Sequence, residues 1–206
     1  SYQARQYCTV FLNISKEESM TAFTTEKIDV EPWFDMELFM GVSQETRLGG
    51  DVMDRFMTLW KNWLPHLTVK GIDTGKIKYL LVALDESVEQ DVDKAWEGSP
   101  SNAFLYNALA QTMCMAAVHA VIPEVQDAGC APAPKPTATL REALEAEGIP
   151  YSNDKDPILS RRYAVVTHYP FKGGCEICVL QSNCPKGQGQ MEAASVVLPG
   201  YERPQL

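Results

Sequence analysis

Basic residues are scarce in this chain. It carries 18 lysines and arginines against 27 aspartates and glutamates over 206 residues, a net charge of -9 at pH 7. A surface that follows nucleic acid or an anionic membrane needs clustered lysine and arginine, so this balance argues against both partners. Six cysteines are too few for a disulfide-dense secreted scaffold, and with three histidines they leave nine residues of those two types. Also missing are G-x-G-x-x-G, a P-loop, G-x-S-x-G and a haem C-x-x-C-H, so nucleotide, hydrolase and c-type haem readings have no motif behind them. The opening stretch SYQARQYCTVF lacks the basic start and apolar run of a signal peptide, which makes the cytoplasm the expected compartment. No internal repeat is visible.

What is present suits a globular protein. The 45% hydrophobic and 22% charged content allows a sizeable core without cross-links. Apolar residues at three- and four-residue steps predict helices over 51–64, 85–97, 101–122 and 139–147, with Ser101 and Thr139 as N-caps. Another capping box, Ser15-x-x-Glu18, opens a short helix to about residue 23. Residues 6–14 and 163–168 read as a strand pair, 24–50 as irregular with a helical turn, and 76–84 as either a buried strand or half a helix. The 101–122 run approaches the length of a membrane span, yet Asn107, Gln111, Thr112 and His119 lie inside it, so a buried core helix is expected. The proline-rich DAGCAPAPKPT (127–137) is the clearest boundary. These features predict an α+β fold, mainly helical, in two segments packed as one domain. Residues 1–130 form the helical part; 131–206 supply a helix, a strand and a C-terminal cysteine loop.

That loop, GGCEICVLQSNCPKG (173–187), is the least ordinary stretch. Cys175, Cys178 and Cys184 follow the spacing C-x2-C-x5-C. Two thiolates two residues apart can converge on one centre from a tight turn, and a third can join after one helical turn. Thiols held this close without a metal are prone to oxidation. For the fourth ligand two residues compete. His168 lies six positions before Cys175; Cys130 sits on the stiff proline-rich connector.

The segment resembles the iron–sulfur cluster loop of the helix-hairpin-helix DNA glycosylases, whose pattern is C-x6-C-x2-C-x5-C. Its last three positions match Cys175, Cys178 and Cys184, and its first falls on His168. The likeness spans residues 168–184 only, without the family's hairpin or catalytic context, so it implies a [4Fe–4S] cluster and not glycosylase activity. The auxiliary cluster loops of SPASM-type radical SAM enzymes, C-x2-C-x5-C-x3-C, are also similar, but their last ligand would fall on Gln188.

Elsewhere, Asn107, Gln111, Cys114, Met115 and His119 share a stripe of the long helix. It reads either as a pocket wall that binds a cofactor through Asn107, Gln111 and His119, or as the one wet face of a buried helix. Cys114 reads as core, as does Cys8 in its strand, and His66 as a cation at a helix end. Arg161, Arg162, Lys172 and Lys186 are expected to offset the charge of a thiolate cluster. Three functions follow: a cytoplasmic iron–sulfur protein serving a redox partner, a binding module with a purely structural zinc or cluster, or an enzyme working at the 107–119 helix.

Overall fold

The run KYLLVAL has no polar alternation because both of its faces are covered. In the computed structural model, which describes residues 22–184, it forms a strand, β3 (Lys78–Leu84), near the middle of an antiparallel sheet. β1 (Thr24–Lys27), β2 (Leu67–Asp73) and β4 (Ala164–His168) complete the order β1-β2-β3-β4. Successive side chains of a strand point to opposite faces. Thus Leu80, Val82 and Leu84 belong to one buried cluster while Tyr79, Leu81 and Ala83 belong to another.

The first cluster is roofed by α1 (Met36–Ser43), α2 (Gly50–Trp63), α3 (Glu86–Gly98) and α4 (Pro100–Val121). α2 presents Phe56, Trp60 and Trp63 at helical spacing, and its two indoles also hydrogen bond. Trp60 Nε1–H donates to the Pro32 carbonyl at 3.1 Å, and Trp63 Nε1–H to Asp91 of α3 at 2.8 Å. α4 is long and apolar enough, by length and composition, to cross a membrane; here ten of its residues are buried within the fold. The second cluster is closed by Leu140, Ala143 and Leu144 of α6 (Ala138–Ala146), reached after the short α5 (Glu124–Ala128). The result is an α+β fold of three layers, helices on both sides of one sheet.

The structure revises several expectations. The strand expected at 6–14, with Cys8, and the tail from 185 on, with Lys186, lie outside the described residues, as does the capping box at Ser15. Among the described residues the strand expected at 163–168 is present as β4 within a four-stranded sheet, and the stretch 24–50 supplies β1 and α1. Ser99, not Ser101, caps α4, accepting from the Asn102 N–H at 3.4 Å, because Pro100 suits the first helical position. Thr137, not Thr139, caps α6, accepting from the Leu140 N–H at 3.3 Å. The helix starts early so that Leu140, Ala143 and Leu144 fall on one inward stripe.

Two-sided burial makes neighbouring residues equally costly to truncate. Leu80→Ala and Leu81→Ala should each destabilise the fold by about 2–5 kcal/mol in chemical denaturation. A sheet open on one side would leave one of the two near neutral.

Candidate functional site

The proline-rich connector is the part of the chain that builds a site. α5 ends at Gly129, and Cys130 follows at once. Pro132, Pro134 and Pro136 offer no backbone N–H, so the few remaining polar groups decide where the connector lies. The Pro132 carbonyl accepts a buried hydrogen bond from Thr167 Oγ1 of β4 at 2.9 Å. The Ala133 carbonyl accepts from the Val179 N–H at 3.0 Å. The Ala133 N–H donates to Cys178 Sγ at 3.4 Å. The connector is therefore held between the sheet and the cysteine loop.

The loop itself is made of two single 3-10 turns, Cys175–Ile177 and Gln181–Asn183, with no buried residue in either. Gly173 enters it at φ +146°, a backbone region that favours glycine, and an added Cβ would collide with the Glu176 carboxylate. That carboxylate accepts from the Gly174 N–H at 2.9 Å. Backbone donors, its own N–H first and then that of Gly174, hold the Glu176 carboxyl below its ordinary range.

Together the two segments bring four thiols to one hollow. Cys130, Cys175, Cys178 and Cys184 line it, with Pro132, Gly174 and Gln181 between them. Its free volume is about 20 Å³, little more than the roughly 10–15 Å³ that one water needs. Cys175, Cys178 and Cys184 form no disulfide. Among the described residues, no group of three or more His, Cys, Asp or Glu side chains is gathered so that it could hold a metal ion.

His168, the rival fourth ligand, does not line this hollow. It pairs across the sheet with Tyr79, and the two rings lie 5.5 Å apart, on the α6 side. Its neighbour Thr167 takes the opposite face and reaches the connector, so one step of strand alternation separates the two. His168 Nδ1 is buried without a hydrogen-bond partner, and burial, helped by the Lys172 charge, lowers its pKa.

The stripe on α4 divides. Asn107 accepts from the Tyr163 hydroxyl at 2.9 Å, Gln111 is exposed, and Cys114 is buried against the Tyr163 carbonyl. Burial pushes the Cys114 thiol up to about 12, which removes it as a nucleophile. His119 does reach a cavity, where it meets Asp35, Gln126 and Cys130. Of the basic residues expected to balance the thiols, the two arginines are engaged with α3, Arg162 with Asp93 at 2.7 and 3.2 Å and Arg161 3.9 Å from Glu89, while the Lys172 charge acts on His168. His66 meets Asp85 at 2.7 Å.

Comparison of the chain with protein families, curated proteins and solved structures found no match. Ala133, which acts through its backbone, and Glu176, whose carboxylate accepts from a backbone N–H, belong to no recognisable motif. The signal for the first is that Ala133 is one of the few residues of the proline-rich run that keep an N–H, with Ala131 and Lys135.

Two tests follow from this geometry. Mass-mapped alkylation of the native protein should modify the partly exposed Cys175, Cys178 and Cys184 and leave the buried Cys114 untouched until the protein unfolds. Gly173→Ala should cost more than about 1 kcal/mol locally and speed alkylation of Cys175 and Cys178. Unchanged rates at both would show that the loop does not depend on this turn.

Proposed function

We propose that the chain is an iron–sulfur protein that carries single electrons, its [4Fe–4S] cluster held by Cys130, Cys175, Cys178 and Cys184. The observation that carries this reading is the shared lining of one hollow by four thiols from two distant segments. The side chains that converge there are mostly cysteine sulfurs, the ligands that iron–sulfur clusters take, and the loop must widen to admit the four irons and four sulfides. A zinc ion would need its sulfurs about 2.3 Å from one point, and since no group of three or more ligating side chains is gathered among the described residues, the thiols must rearrange to bind either zinc or a cluster. A cluster presents four irons, each taking one thiolate, so its ligands ring a void.

When bound, the cluster supplies one-electron chemistry. The protein supplies the rest. Ala133 directs an N–H at one ligand sulfur, which stabilises added negative charge. Val179 and Leu180, each 40% exposed, lie between Cys178 and Cys184 and offer an apolar approach for a redox protein partner. A reducing compartment such as the cytoplasm keeps the thiols available.

Anaerobically purified protein should contain about four irons and four sulfides per chain, with a broad absorption at the blue edge of the visible that dithionite bleaches. Cys130→Ser should lower iron retention by at least roughly tenfold, whereas His168→Ala should keep it. Colourless protein with one tightly held zinc, or iron lost with His168 but not with Cys130, overturns the assignment. In the loaded protein, Ala133→Pro removes the N–H while keeping extended backbone, and voltammetry should record a more negative potential. An unchanged potential would remove Ala133 from the set of tuning groups.

A further inference from the structure

Cys130 faces two cavities. Besides the thiol hollow it lines a cleft of about 480 Å³ on the other side of the connector, within the range of roughly 300–1,000 Å³ that small-molecule sites occupy. The floor of that cleft is apolar: Leu38 and Val42 from α1, Met115 from α4 and Val165 from β4. Its polar groups are Asp35, Glu37, His119 and Gln126. A smaller hollow of about 90 Å³ shares Asp35, His119 and Gln126 and extends the cleft to Trp33, whose side chain is 72% exposed.

No lysine or arginine lines either cavity. His119 is the one other nitrogen base in the lining, set beside Asp35 and Gln126. Asp35 gives one oxygen to the Leu38 N–H as the cap of α1, leaving the other free of that bond. Asp35, shared by the two cavities, with the exposed Trp33 indole on one side and Glu37 among the apolar lining on the other, matches one ligand chemistry. A cation gains from the carboxylates and from the aromatic face, and a hydrocarbon body gains from the floor.

We infer that this cleft binds a small organic cation, an ammonium group on an apolar body, against the Cys130 wall. The ammonium sits between Asp35, Glu37 and Trp33, and the body lies over Met115 and Val165. That the ligand rests beside a cluster depends on the function proposed above; the binding of the cation does not.

Phenethylammonium is the probe, with phenethyl alcohol and phenylacetate as its neutral and anionic counterparts, measured by calorimetric titration of the full chain. The cation should bind at least about tenfold more tightly than the alcohol, and the anion should bind weakest. Asp35→Asn with Glu37→Gln should abolish that preference. Asparagine caps helices as well as aspartate, so α1 is retained. Trp33→Leu should weaken the cation severalfold and leave the alcohol unchanged. Equal affinity for cation and alcohol, or no saturable binding up to roughly 10 mM, overturns the inference. Titrating iron-loaded and iron-free protein separates the two proposals. Selective binding by a protein that takes up no cluster keeps the cleft and discards the cluster. Iron-loaded protein without selectivity does the reverse. Where both hold, the cation should shift the electron paramagnetic resonance spectrum of the reduced cluster.

Discussion

Three hydrogen bonds to two residues of a proline-rich connector hold the candidate site together. Pro132 and Ala133 fix the strip of chain between β4 and the cysteine loop through Thr167, Val179 and Cys178. Each bond contributes only about 1 kcal/mol net. They suffice because Pro132, Pro134 and Pro136 already restrict the unfolded connector, so little backbone entropy is lost when it docks. Cys130 lies 45 residues before Cys175, yet it faces the same hollow because this strip has few other ways to lie.

The two-sided sheet decides which residues can take part. β4 pairs with β3 in a register that sends Val165 and Thr167 to the α4 side, and Val166 and His168 to the α6 side. Thr167 can therefore anchor the connector, and Val165 can floor the cleft beside it. His168 is committed to Tyr79 on the other face, however well its spacing from Cys175 fits a ligand pattern. Sequence distance measures reach along a chain; strand alternation decides direction.

What the sequence revealed follows the range of the interactions involved. Helices α2, α3, α4 and α6 are legible within a residue or two because their apolar stripes and caps are local. The cysteine trio is legible for the same reason. The size of the sheet is not, since β1 is four exposed residues whose only reason to be extended is pairing with β2. β3 stays ambiguous because burial on both faces erases the period that would identify a strand. The choice between Cys130 and His168 depends on a long-range fold, and spacing alone favoured neither. Arg161 and Arg162 misled because proximity in sequence to the cysteines was read as proximity in space, while α3 offers Glu89 and Asp93 across the chain.

The two sides of the thiol hollow differ in how firmly they are set. Cys130 rides on a connector braced by Thr167, itself buried in the core beside β3. The trio rides on two isolated 3-10 turns without a buried residue, tied by the bonds at Ala133 and by the Glu176 carboxylate. Segments with few buried contacts open at low cost, and a centre that binds only the closed arrangement adds its binding energy to closure. Cys130 is thus the more firmly packed wall of the hollow and the trio the less firmly packed one. The same wall borders the cleft under α1 and α4. The cleft and the thiol hollow therefore share one side chain, Cys130, on the braced side of the hollow.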